Sequence, residues 1–378
     1  MKKIKVGFLS THNYFDRNAW SGIVYRMYDA LRSKNLQMVA LGNPSKPTLL
    51  RKVVNRVSPP KKSFEVASSG YIEEGQKKVA LIQKQLDKTP CDVILGPVAS
   101  LEINYLETNI PIIYLSDITF ELYNGYYPSN FDQKQIEWIS NIESTAISRA
   151  SKIVYPSDWA AQSAIDDYNA ETTKVKVIPF GANLDNTPAT EEVSFSRKNT
   201  SSCRLLFIGK DWERKGGEIA FQTLISLHRM GVDAELIVLG SVPPAKIKHE
   251  KLTVIPFLDK NDPIQRQQFR ELFLQSNFFI FPTRAECFGI VNCEANAFGL
   301  PVITTNVGGL PTIIKQGKNG YMLPPSASGD DFAKLIAEIF YDRARYEQLV
   351  RSSREEYDRR LNWNVWAQSI HNLIVDML

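Results

Sequence analysis

Apolar residues fall along this chain in short runs, separated by stretches whose apolar positions recur at helical spacing. Residues 4–10 read as a short buried strand, and positions 25–36 follow with helical spacing. Further apolar runs at 93–95, 110–115, 152–155 and 175–179 are separated by helical patterns. Strands alternating with helices predict parallel βαβ units and a doubly wound sheet. Around 184–203 the character changes: Asn186, Thr187, Pro188, Ala189 and Thr190 lead to Asn199, Thr200, Ser201 and Ser202, a polar stretch with the composition of a linker. Beyond it the rhythm restarts. Strands are expected at 204–208, 235–239, 252–255, 278–281 and 301–304, and helices at 216–230, 263–275, 289–298, 330–350 and 361–377. Two successive α/β halves predict a two-domain protein with a cleft between the domains. Open α/β sheets bind ligands at the carboxyl ends of their strands, which face such a cleft.

Composition supports this picture and narrows the class. At 378 residues the chain exceeds one ordinary core, and 43% hydrophobic residues suit a globular protein. Lys and Arg number 45 against 41 acidic residues, a formal charge of +4, too slight a surplus to make nucleic acid the main partner. Cys91, Cys203, Cys287 and Cys293 form no C-x-x-C pair, which suits a reducing compartment. The basic start Met1-Lys2-Lys3 precedes an apolar run too short for a signal peptide, and no stretch approaches the ~18 apolar residues of a membrane span. The expectation is a soluble, cytoplasmic protein.

Candidate chemistry concentrates in the second half. The segment 278–305 runs from an apolar strand through a loop carrying Glu286 into a helix, starting near Gly289, that carries Glu294. Were the segment wholly helical, eight residues at 1.5 Å would separate the carboxylates by about 12 Å, an upper bound because part of it is loop. A glycosidase acid/base pair sits closer, roughly 5–9.5 Å apart. The wider reach suits two anchor points on one extended ligand. Upstream, an expected strand runs into Gly209-Lys210-Asp211-Trp212-Glu213-Arg214-Lys215-Gly216-Gly217 and then a helix. Glycines admit a ligand close to the backbone, and a helix start with two or three cations could hold a diphosphate. In the first half, Trp20-Ser21-Gly22 precedes a helix, with Ser21 also readable as an ordinary N-cap.

The E-x7-E spacing, with Phe288-Gly289 after the first Glu and Ala295-x-Ala297-x-Gly299-x-Pro301-Val302-Ile303 after the second, resembles the family-4 retaining glycosyltransferases. Asn306-Val307-Gly308-Gly309-Leu310-Pro311 and Asn319-Gly320 are similar to that family's pattern too, as are Pro156-Ser157-Asp158-Trp159 and 177–183 in the first half. The resemblance implies the GT-B architecture: two facing Rossmann-like domains around a deep interdomain cleft. It implies an acceptor-binding domain at 1–190, a nucleotide-sugar domain at 200–355, and a segment 356–378 whose helix, around Trp363 and Trp366, crosses back. The implied reaction transfers a hexose from a UDP- or GDP-sugar to a hydroxyl acceptor with retention of configuration. The acceptor itself, a glycan, lipid or small molecule, is not readable.

Under the same resemblance Glu286 contacts the donor sugar, Glu294 the ribose, and Lys210 and Lys215 the pyrophosphate. Lys210 stands where the family usually has Arg, which loses a bidentate grip and leaves Arg214 as a possible substitute. Ser21 and Gly22 match the Gly-rich loop after the first strand. Ser116 replaces the usual His ahead of Asp117, which puts the sugar's identity in doubt and leaves Asp117 to take that contact. Backbone groups of Phe288, Gly289, Ile290 and Val291 could add to the phosphate grip, and those near Phe257 and Leu258 would meet the base. No covalent nucleophile stands out, which favours same-face displacement with the leaving phosphate helping to deprotonate the acceptor.

Other readings remain: a nucleotide-sugar epimerase or sugar phosphorylase of the same architecture, or a catalytically silent sugar-nucleotide binding protein. No D-x-D occurs and the four histidines lack ligand spacing, so no metal and no cofactor is expected. The absence of G-x-G-x-x-G and G-x-S-x-G weighs against a dinucleotide oxidoreductase and an α/β-hydrolase. Finally, Leu49, Leu50, Val53, Val54 and Val57 recur at helical spacing among Arg51, Lys52 and Arg56. Such a helix either packs on the first sheet or makes peripheral contact with an anionic membrane.

Overall fold

The computed structural model describes residues 3–10, 12–17, 19–42, 69–195 and 202–378. The basic amphipathic stretch at 48–62, and with it the expected membrane contact, lies outside the described residues. The chain forms two compact units, Met1–Ile178 with Trp366–Leu378, and Pro179–Val365. The division falls at Pro179, ahead of the polar stretch beginning at 184.

The first unit is built on a six-stranded parallel sheet: β1 (Ile4–Leu9), β2 (Leu36–Leu41), β3 (Val93–Pro97), β4 (Ile112–Leu115), β5 (Lys152–Tyr155) and β6 (Val175–Val177), in the order β2-β1-β3-β4-β5-β6. The second unit repeats the plan with β7 (Cys203–Ile208), β8 (Ala234–Leu239), β9 (Leu252–Ile255), β10 (Phe278–Phe281), β11 (Val302–Thr305) and β12 (Gly320–Leu323), in the order β12-β11-β10-β7-β8-β9. Every pairing is parallel, with helices between successive strands of each sheet except β8 and β9, which a loop joins. The strands are apolar nearly throughout because helices cover both faces: Val93–Pro97, Ile112–Leu115, Phe278–Phe281 and Val302–Thr305 are wholly buried.

Each unit has its own core. In the first, Leu9, Ile94, Ile112, Tyr114 and Ile153 pack with Val79, Ile82 and Ala146 from the helices. In the second, Leu205, Phe207, Leu236, Phe278 and Ile280 pack with Leu224, Phe332 and Ile336. Helix starts follow local chemistry. Asp132 caps Gln133–Arg149 and Ser328 caps Gly329–Tyr341, each in a capping box, while Asp262 precedes Pro263 at the start of Pro263–Gln275.

The structure departs from the sequence reading in three places. The helix expected over 25–36 is Ile23–Arg32, closed at Ser33, whose hydroxyl donates to the Ala30 carbonyl, and Leu36 already opens β2 in register with Ile4. The strand Gly320–Leu323 had no counterpart, being four residues with a glycine at its head. The long helix expected over 330–350 is two helices, Gly329–Tyr341 and Arg343–Arg360, broken at Asp342, whose carboxylate accepts from Arg345 N–H.

A buried carboxylate anchors one end of the first sheet. Glu143 accepts hydrogen bonds from the Tyr114 hydroxyl at 2.8 Å, the Phe120 N–H at 2.5 Å and the Tyr168 hydroxyl at 3.2 Å. Burial raises its pKa to about 7 against those donors, which act to lower it. A carboxyl whose folded pKa lies above its ordinary 4.5 makes the folded state hold a proton that the unfolded chain releases, so stability falls as pH rises from about 4.5 to about 7. Glu143→Gln should flatten the dependence of thermal stability on pH across that window, removing a change on the order of 3 kcal/mol. Identical pH dependence of melting in the parent and this variant would contradict the assignment.

Candidate active site

In the second unit the strand order places β7 and β10 side by side, with chain connections departing in opposite directions from that pair. Such a switch point opens a crevice at the carboxyl ends of the two strands. The loops that leave β7 and β10 there carry the basic and acidic residues named above.

The first loop folds back as a turn. Gly209 N–H donates to the Leu239 carbonyl, and Lys215 N–H donates to that of Asp211. Gly216 then enters the helix Gly217–Arg229 with φ +77°, a left-handed conformation. A Cβ at Gly216 would lie 1.9 Å from the Pro282 carbonyl oxygen, so only glycine lets the backbone come this close to the end of β10. The contact is reinforced by the Arg214 carbonyl, which accepts from Arg284 N–H at 2.7 Å and from the Thr283 hydroxyl at 3.1 Å.

The outcome is that Lys215 meets Glu286. The ammonium donates to Oε2 of the carboxylate and lies 5.0 Å from the Phe281 ring centroid, and each side chain is 13% exposed. Gly289, at φ +81°, packs behind: a Cβ there would come within 3.0 Å of Glu286 Cγ and 2.9 Å of Leu310. Gly309 N–H donates to the Glu286 carbonyl.

The other cations take different parts. The Arg214 guanidinium is turned onto its neighbours, donating to the Ala285 carbonyl at 2.9 Å and pairing with Asp211 at 3.4 Å. Lys210 is exposed. Beyond Glu286, the helix Ile290–Ala297 begins at Gly289 with no side-chain cap, and the Ile290 and Val291 N–H groups have no hydrogen-bond partner among the described residues. Phe288 is buried and packs edge-on to Phe180 at 5.2 Å, so it offers a ligand its backbone rather than its ring.

Glu294 lies one turn into the same helix and is 3% exposed. Its Oε1 accepts from Lys260 Nζ at 2.8 Å, and Oε2 has no hydrogen-bond partner among the described residues. Lys260 escaped the sequence reading. The available signal was its placement two residues ahead of the N-cap Asp262, where a helix dipole disfavours a cation unless something else holds it. Phe257 is exposed and Leu258 half-buried on the loop that leads to Lys260.

Polar atoms without partners gather along this edge. Trp212 Nε1, Ser241 Oγ and Asn292 Oδ1, which follow β7, β8 and β10, and Thr305 Oγ1, at the end of β11, are buried and unbonded among the described residues. Native proteins leave few such groups unpaired. Among the described residues no three His, Cys, Asp or Glu side chains converge as a metal site would require.

In the first unit the corresponding switch point is between β1 and β3. The turn after β1 is strained: Trp20 and Ser21 have φ of +45° and +57°, and Gly22, rather than Ser21, stands at the N-cap of Ile23–Arg32, with no side-chain cap bond. Val98, a β-branched residue at φ +52°, follows β3. Strain of this kind persists at ligand-holding sites. After β4, the Ser116 hydroxyl donates to the Ile118 carbonyl at 2.8 Å, while Asp117 is half-buried. Among the described residues no helix is long and apolar enough to cross a membrane.

Residues 189–356 match the model of the glycosyl transferases group 1 family. The chain is 27% identical over 224 residues to a D-inositol 3-phosphate glycosyltransferase of Paenarthrobacter aurescens, covering 55% of this chain and 53% of that protein. It is 25% identical over 249 residues to spore coat protein SA of Bacillus subtilis, covering 59% and 64%. The chain thus spans between about half and two thirds of the length of these curated relatives. Among solved structures it is similar to a sucrose-phosphate synthase from Thermosynechococcus elongatus, with a TM-score of 0.71 at 17% identity and 99% of both chains covered. It is also similar to HepE of Anabaena in complex with UDP, with a TM-score of 0.65 at 15% identity and 99% and 100% covered. The fold is therefore that of GT-B glycosyltransferases, and the match to the group 1 family falls on the unit that holds Lys215, Glu286 and Glu294.

Proposed function

We propose that the protein is a glycosyltransferase that moves a hexose from a UDP- or GDP-sugar to a hydroxyl acceptor, with retention of anomeric configuration and without a metal ion. The observation that carries this reading is the meeting of Lys215 and Glu286 at the β7/β10 switch point, beside an uncapped helix start. A departing nucleoside diphosphate develops negative charge, which must be met in the transition state. Lys215, the exposed Lys210 and the Ile290 and Val291 N–H groups supply positive potential at one place. Glu286, held by Gly289 and by Lys215, then orients the sugar, and Glu294 below it accepts from ribose hydroxyls. With Arg214 engaged by Asp211 and the Ala285 carbonyl, the diphosphate falls to the two lysines. A binding protein without turnover is the competing reading, and the experiments below separate the two.

The first test concerns the carboxylates. Glu294→Ala should weaken binding of UDP or GDP about tenfold or more, since a hydrogen bond to a charged group contributes roughly 1.5–3 kcal/mol. Glu286→Ala should leave affinity for the free nucleotide nearly unchanged and lower turnover instead. Titration calorimetry with a donor-hydrolysis assay reads both, and equal losses of nucleotide affinity in the two variants would refute this division.

The second concerns charge neutralisation. Activity should persist in excess EDTA. Lys215→Ala should reduce turnover roughly a hundredfold or more, as the loss of a charge-stabilising contact costs about 2.7–4 kcal/mol in comparable sites. Lys210→Arg should be tolerated, and Arg214→Ala should have a small effect on turnover. Complete loss of activity on chelation, with rescue by magnesium or manganese, would overturn the mechanism.

A further inference from the structure

Lys260 is held from three sides. Its ammonium donates to Glu294 Oε1 at 2.8 Å and stands 4.1 Å from the centroid of the Phe269 ring. Its carbonyl accepts from the Arg266 guanidinium at 3.1 Å, fixing the backbone of the loop that follows β9. Phe269 and Arg266 both belong to the helix Pro263–Gln275, so one element fixes the lysine at both ends of its side chain. The lysine side chain is 40% exposed, whereas that of Glu294 is 3% exposed.

That asymmetry bears on what the pair is for. A surface ion pair contributes little to stability, and a carboxylate as buried as this one is costly unless its charge is met. In the buried Glu143 and Glu356 both carboxylate oxygens are bonded. In Glu294 only Oε1 is bonded, and Oε2 is left with its lone pairs unused among the described residues. A rigid cation on one oxygen keeps the group ionised and fixes its rotation. The second oxygen then accepts from a ligand without reorganising.

We infer that Lys260 is a positioning residue of the nucleotide site, acting through Glu294: it clamps Oε1 so that Oε2 accepts from the ribose 2′- and 3′-hydroxyls. This makes the Lys260–Glu294 pair a reader of the ribose and distinguishes ribonucleotides from 2′-deoxyribonucleotides. The inference rests on the reading of Glu294 as the ribose carboxylate.

The test is calorimetric titration of the full chain and its variants with UDP, GDP and their 2′-deoxy counterparts. Lys260→Met should weaken binding of the preferred ribonucleotide about tenfold or more, and Lys260→Arg should restore it to within about threefold. The same Lys260→Met substitution should cost less against the 2′-deoxynucleotide, because one of the two hydroxyls that Glu294 would accept from is missing. Lys260→Gln, which keeps a donor without the charge, should fall between and serves if the Met variant melts early. An equal loss for ribo- and deoxynucleotides would make the pair merely structural and overturn the inference, as would unchanged affinity. Tighter binding in Lys260→Met would also overturn it, since the lysine would then be a plug over the carboxylate. A parent protein that binds nucleotides while Lys260→Met is silent sinks this inference alone. A parent that binds neither UDP nor GDP sinks the glycosyltransferase reading and this inference with it.

Discussion

The candidate site of the second unit depends on one close approach, between the backbone of Gly216 and the carbonyl of Pro282. Everything chemically useful nearby follows from the absence of a side chain at that point. The approach ties the loop after β7 to the end of β10, and the Arg214 carbonyl fastens the two with bonds from Arg284 and Thr283. Lys215, next in sequence to the glycine, is thereby aimed at Glu286 rather than at solvent. Neither charge would be tolerated so deep alone, and together they form a site already organised before a ligand arrives. A bound diphosphate would draw on an ammonium whose position is set in advance.

Much of this was legible in the amino-acid sequence, because the features that carry it are local. The apolar strand 278–281, the loop with Glu286 and the helix with Glu294 announce themselves by pattern and by spacing, and the Gly-Lys turn after β7 does the same. What escaped is non-local or too short. Leu36 was taken into the preceding helix because only three polar residues separate the two, 37–41 carried no assignment, and the identity of Leu36–Leu41 as a strand comes from pairing with β1. Lys260 belongs to the site only because the chain folds back across 34 residues to Glu294. Ser116 and Asp117 sit on a loop where sequence suggested contact with a sugar. The Ser116 hydroxyl donates to the Ile118 carbonyl, a bond that no pattern of residues reveals, and keeps lone pairs with which it can accept.

Some motif residues prove to be scaffolding rather than chemistry. Asn319 is buried and bridges the Asn296 side chain at 2.5 Å, the Ile313 carbonyl at 3.0 Å and the Lys315 N–H at 2.7 Å. Arg360 donates to the carbonyls of Thr312 and Ile313 and to Glu356. Glu356 is itself fully buried. Burial would push its pKa up, but bonds from Lys318, Arg360 and Arg359 hold it down at about 2. This network immobilises the segment that begins at Val307, whose Gly309 N–H meets the Glu286 carbonyl. Rigidity at the Glu286 carboxylate is thus secured from behind, by residues that need never meet a ligand.

The first unit is not one continuous piece of chain. It is made of Met1–Ile178 and Trp366–Leu378, with all of Pro179–Val365 synthesised in between. Trp366, Ala367, Ile370 and Ile374 are buried in the folded protein. During translation at about 5–20 residues per second, the amino-terminal sheet therefore waits for its closing helix for roughly ten seconds or more, the time taken to make the second unit. The first unit thus cannot be completed until the last residues of the second have been made, and until then the apolar surface against which Trp366, Ala367, Ile370 and Ile374 pack lacks the segment that covers it.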